Sequence, residues 1–122
     1  MAATLSVINF DIQLASAEGQ HTTVVLAGEF DVSAAVRLRQ WIADLLVQPR
    51  GPRRITLDLT DVDFIDSSAI GLLVGTTKRL RAMGGDLVIQ HCSPRVRRVI
   101  DLVELGEFLT IASDAEQPNA QR

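Results

Sequence analysis

Few residues in this 122-residue chain could take part in chemistry, and most are spaced so that they cannot act together. His21 and His91 fall on different predicted strands, and neither has a carboxylate pair at ligand-like spacing. Cys92 follows His91, but neighbours on a strand point to opposite faces, so the two do not form a ligand pair. No metal or other cofactor is expected. Gly84-Gly85 reads as a helix terminator, not as the GxxxxGK(S/T) loop that cradles phosphates. No Ser–His–Asp or Cys–His motif is present, and a conventional hydrolase or transferase is not expected. What remains is Asp66-Ser67-Ser68, where a strand pattern gives way to a helical one. Asp and Ser are favoured N-caps because their side-chain oxygens accept from unpaired first-turn N–H groups. Taken alone, the tripeptide is a cap.

The elements around it can be read from periodicity. Residues Leu5 to Leu14 alternate loosely and predict a strand, followed by a turn through Ser16-Ala17-Glu18-Gly19. The apolar run from Thr22 to Gly28 predicts a second strand, covered on both sides. Leu38, Trp41, Ile42, Leu45 and Leu46 recur at helical spacing, with Ser33 as the expected N-cap and Pro49 and Gly51-Pro52 as the stop. Ile55, Leu57 and Leu59 alternate with polar residues as a third strand, after which the acidic stretch reads as a short turn. A second helix begins near Ser67, with Ala69, Leu72, Leu73, Thr76, Leu80 and Met83 along one stripe. Leu87-Val88-Ile89 marks a fourth strand. Ser93-Pro94 opens a third helix, capped by Ser93 and buried through Val96, Val99, Ile100 and Val103. A final strand is expected from Phe108 to Ile111. Trp41, Met83 and Cys92 are expected in the core.

The order β-β-α-β-α-β-α-β predicts a single α/β domain: a mixed β-sheet of about five strands, largely parallel, with a hairpin in front and helices mainly on one face. The domain spans residues 1–112, and residues 113–122 read as a polar, mobile C-terminal tail.

Composition narrows the function classes. The chain is 47% hydrophobic and 22% charged, as ordinary globular domains are, and its 4% aromatic content leaves little for stacking on bases. A net charge of −3 offers no general attraction to nucleic acid or anionic lipid. Arg95, Arg97 and Arg98 are read as the solvated face of the third helix. Neither an N-terminal signal segment nor a run of about 20 apolar residues is seen, so membrane insertion is not expected. The single cysteine fits a cytoplasmic location.

The longer pattern carries more than the tripeptide. The alternating strand, the acidic stretch, Phe64-Ile65, Asp66-Ser67-Ser68 and Gly71 resemble the signature of the STAS family, the anti-sigma-factor antagonists and their relatives. Gly28-Glu29-Phe30-Asp31 resembles the family's segment after its second strand, and Ser93 to Ile100 its helix after the fourth. The resemblance runs from about Leu5 to Ile111. It departs at Ala69, where Gly is common, and in the closing helix, for which the tail has little apolar content.

The resemblance implies a bacterial partner-switching regulator of transcription in the stress response, and not an enzyme. The unphosphorylated form would bind an anti-sigma factor that is also a serine kinase, thereby releasing a sigma factor. Phosphorylation would end the complex, and a serine phosphatase would reset it. The acceptor implied is Ser68, with Ser67 as the alternative. Asp31, Asp66, Ser67, Ser68 and Ala69 would form the partner-binding surface. Other family members are cytoplasmic subunits of lipid or anion transporters, which is the alternative reading.

Overall fold

A computed structural model describes residues 9–49 and 51–112. Five strands form one sheet in sequential order: β1 (Phe10–Glu18), β2 (His21–Phe30), β3 (Arg54–Ile65), β4 (Asp86–Gln90) and β5 (Thr110–Ala112). β1 and β2 are antiparallel, and every later neighbour is parallel. The parallel strands are joined by α1 (Val32–Leu46), α2 (Ser67–Ala82) and α3 (Pro94–Leu102). A 3-10 turn, Glu104–Phe108, precedes β5. Because the order advances one strand at a time and such crossovers are right-handed, the helices pack on one face. The predicted α/β architecture is the one observed.

Register explains which residues build the core. Val24 pairs with Leu57 and Leu57 with Ile89, while Thr22 pairs with Ile55 and Ile55 with Leu87. Those apolar residues, with Leu26 and Leu59, are fully buried. From the other side come Leu38 and Ile42 of α1, Ile70, Leu73 and Leu80 of α2, and Val96 and Ile100 of α3. Phe10 stacks on Phe30 with centroids 5.1 Å apart, and Arg37 closes that corner by donating to the Phe10 carbonyl at 2.6 Å.

Several boundaries differ from the sequence expectation. Leu5, Val7 and Ile8 lie outside the described residues. The first strand continues through Ser16-Ala17-Glu18, and the hairpin turns only at Gly19-Gln20, where Gly19 takes φ +61. A two-residue turn with a positive first φ matches the twist of the flanking strands. β3 likewise runs on through the acidic stretch instead of turning. β2 extends to Phe30 as its partner, and two register shifts absorb the extra residues while Val62 and Ile65 stay buried. The last strand begins at Thr110, and Phe108 belongs to the 3-10 turn, exposed beneath the Lys78 ammonium, 5.0 Å from its ring centroid. Met83 caps α2 at the surface and is not core, whereas Trp41 and Cys92 pack partly buried against the core's edge.

The end of α2 follows from Gly84-Gly85. The Gly84 N–H donates to Arg81 O and the Gly85 N–H to Leu80 O, the paired bonds of a Schellman motif, with Gly84 at φ +86. A Cβ on Gly85 would overlap the Arg53 carbonyl, so glycine lets the connection pass close to β3.

Candidate functional site

Parallel strands β2 and β3 finish together. Phe30 pairs with Ile65, both are buried, and the Asp66 N–H donates to Phe30 O at 3.3 Å. The next residue of each strand is an aspartate that starts a helix. Asp31 and Asp66 therefore stand side by side at the carboxyl edge of the sheet, where open α/β folds carry their sites. Each has extended backbone angles, and each carboxylate caps its helix: Asp31 Oδ1 accepts from Ala34 N–H at 3.0 Å, and Asp66 Oδ1 from Ala69 N–H at 3.1 Å. Ser33, expected as the first cap, sits instead inside the first turn of α1. With Phe30 anchored in the core and no linker behind it, only position 31 has the extended conformation a cap requires.

Ser67 and Ser68 occupy the first two positions of α2, and both are exposed. Among the described residues, their N–H groups have no acceptor once Asp66 has taken that of Ala69. Two free donors and the helix dipole make this an end that tolerates negative charge. Ala69, expected in the partner-binding surface, is 0% exposed; its methyl belongs to the core and offers a partner nothing.

The two serines differ in what they face. Ser68 lines a groove of about 480 Å³ between α1 and α2, together with Val32, Val36, Gly71, Leu72 and Gly75. Ser67 is not part of that lining. Arg39 and Arg79 close the opposite end. Val32 and Val36 are more than half exposed, which is unusual for valine in a helix and makes the groove an apolar surface open to solvent. Sequence reading missed this α1 wall. Its signal was Val32, Val36 and Arg39 at helical spacing, on a face separate from the stripe of Leu38, Ile42 and Leu45.

His21 and His91 stand at opposite ends of the parallel strands, and His91 and Cys92, expected as strand neighbours, instead follow the end of β4 at Gln90. His21 Nε2 lies 2.8 Å from Thr56 Oγ1 across the sheet, and His91 follows β4 with φ +61. Among the described residues, no three His, Cys, Asp or Glu side chains are grouped to hold a metal ion. Arg95, Arg97 and Arg98 are exposed on α3, with Arg97 paired to Asp101 at 3.1 Å. Burial pushes the Cys92 thiol up to about 11, only partly opposed by the Arg97 charge. No helix among the described residues is long and apolar enough to cross a membrane.

A sheet with one hairpin, sequential parallel strands and two aspartate-capped helices at one edge defines a small α/β interaction module. The STAS domain family model matches residues 13–117, and the chain belongs to the STAS domain family. It is 34% identical over 93 residues to the anti-sigma-B factor antagonist of Bacillus subtilis, covering 76% of this chain and 83% of that one. Among solved structures it is similar to the anti-sigma factor antagonist SpoIIAA in its unphosphorylated form. That match has a TM-score of 0.71 and 28% identity, and covers 87% of this chain and 91% of the other. The phosphorylated form of the Bacillus cell fate determinant SpoIIAA superposes with a TM-score of 0.65 and 27% identity, over 92% of this chain and all of that one.

Proposed function

We propose that this protein is an anti-sigma-factor antagonist whose partner is released when Ser68 is phosphorylated. The observation that carries the reading is the exposed Ser68 hydroxyl at the start of α2, opening onto an apolar groove and flanked by the Asp66 and Asp31 caps. The names of its relatives supply the partner class, an anti-sigma factor; that this partner acts also as the serine kinase, with a serine phosphatase to restore the hydroxyl, is part of the proposal. A relative known in both unphosphorylated and phosphorylated forms supports a switch that leaves the domain folded.

The physics supports Ser68 over Ser67. A phosphoryl group adds about −1.5 to −2 charges. At the second position of α2 the free Ser67 and Ser68 amides favour that charge, so the fold accommodates it. A docked partner does not, because the same charge joins two carboxylates at the mouth of an apolar surface. Burying that charge and bulk against an apolar docked surface, when the free domain leaves them in water, costs several kcal/mol, which is more than two decades of affinity. On Ser67 the group would point away from the groove lining and obstruct less.

The test is intact-mass analysis with site mapping after pull-down from the native host. A species heavier by about 80 Da at Ser68, with an anti-sigma-factor kinase recovered only by the unmodified form, is the expected result. Recovery of membrane transporter components by an unmodified protein would overturn it in favour of a transporter-associated role.

A further inference from the structure

We propose that the whole α1–α2 groove, not only its serine end, is a docking channel for an acidic amphipathic helix of the anti-sigma factor. This deepens the partner-switching reading and rests on it. Gly71 and Gly75 point to this channel. Both lie inside α2, where glycine is the poorest helix former after proline. Neither has a positive φ, and a Cβ on either would meet nothing within 4 Å. Contrast Gly85, whose missing side chain lets Arg53 pass. Internal packing therefore explains Gly85 but not Gly71 or Gly75, whose bare backbone faces the groove. A surface from which side chains are missing, beside exposed Val32 and Val36, is shaped for something that approaches from outside.

Length and charge identify the occupant. From Ser68 to Arg79 the groove follows eleven residue steps of α2, roughly 16 Å or three helical turns. Its serine end is acidic, through Asp31 and Asp66. Its far end is basic, through Arg39 and Arg79, both exposed and neither held in an ion pair or side-chain hydrogen bond among the described residues. A helix of about three turns, apolar on one face and acidic at its C-terminal end, fills this channel. Its negative C-terminal dipole end and carboxylates meet the arginines, and its N-terminal end meets the aspartates. A phosphoryl group at Ser68 then blocks the serine end of the channel by its bulk and its hydration, while the other end of the contact lies three turns away.

Three variants keep the test clear of misfolding. Gly75→Leu fills the groove and should raise Tm by a few degrees, roughly 3–6 °C, because leucine is the better helix former. It should weaken binding to the pulled-down anti-sigma factor at least tenfold. Arg39→Glu/Arg79→Glu should do the same with Tm nearly unchanged, while Arg79→Lys retains most of the affinity. If Ser68→Asp abolishes binding and the groove variants bind as the wild type does, the channel is wrong and partner switching stands. If Ser68→Asp binds normally, the partner-switching reading fails. In that event 1H–15N spectra decide the groove alone, with a 15-residue Leu/Ala/Glu helical peptide as the probe. Shifts of the Gly71 and Gly75 amides with this peptide, absent with its lysine counterpart, support the channel; equal or absent shifts overturn it.

Discussion

Replacing Ser68 by aspartate should separate folding from docking. The new carboxylate sits at the second position of α2, beside the free Ser67 and Ser68 amides. A charge at such a helix start is favourable by about 0.3–1 kcal/mol. Against this stand the Asp66 and Asp31 carboxylates. In surroundings close to water, each like-charge pair costs about 1 kcal/mol or less. The two effects nearly cancel, so stability should change by less than about 1 kcal/mol, which limits the Tm shift to roughly 4 °C for a domain of this size. Binding has no such compensation. A loss of two to three decades, about 2.7–4.1 kcal/mol, is expected toward the anti-sigma factor. Calorimetric titration alongside thermal unfolding measures both. The electrostatic share of the loss should shrink as salt rises, because the charges are exposed. Ser67→Asp is the control and should cost well under a decade. A folded Ser68→Asp protein that binds within threefold of the wild type would refute the reasoning.

Three further outcomes follow from individual contacts. Asp66→Ala removes the acceptor of the Ala69 N–H and should destabilise the domain by about 1 kcal/mol, whereas Asp66→Asn keeps the cap and most of the stability; urea unfolding distinguishes them. Gly85→Ala forces a methyl into the Arg53 carbonyl and should lose roughly 2–3 kcal/mol by the same assay, more than Gly84→Ala, whose cost is the φ of +86 alone. Cys92, with its thiol pushed up to about 11 by burial, should react with a thiol reagent far more slowly at pH 8 than a free cysteine. The sign of its linkage is fixed. The unfolded thiol ionises near 9 while the folded one stays protonated, so its contribution is full below pH 9 and is lost as pH rises toward 11.

The sheet was legible because its core strands carry their own period. Leu57 and Ile89 announce buried strands without help from tertiary structure, and so do Leu38 and Ile42 for α1. Strand ends were not legible in the same way. The acidic residues from Asp61 to Asp63 look like a turn, yet β3 continues because β2 is beside it to accept hydrogen bonds and bulges absorb the register. The same tertiary pairing moved the first helix cap from Ser33 to Asp31. Asp66-Ser67-Ser68 could be found from local pattern, since a cap is a local event. The groove could not: Val32 and Gly75 are more than forty positions apart, and only the sequential strand order brings α1 beside α2.

That arrangement assigns the two residue types at the site to different tasks. The aspartates hold the backbone: each has its side-chain oxygen committed to its own helix, and Asp66 is tied through its N–H to the end of β2. The serines hold nothing among the described residues, so a group attached to Ser68 breaks no hydrogen bond of the fold. Changes at Asp31 or Asp66 therefore mix stability with docking, and a loss of binding there says little about the interface. Changes at Ser68, Gly75 or Arg79 leave the caps intact. A switch built on the uncommitted residue of a capped helix can be modified and restored repeatedly, because the energy of modification falls on the complex and not on the domain.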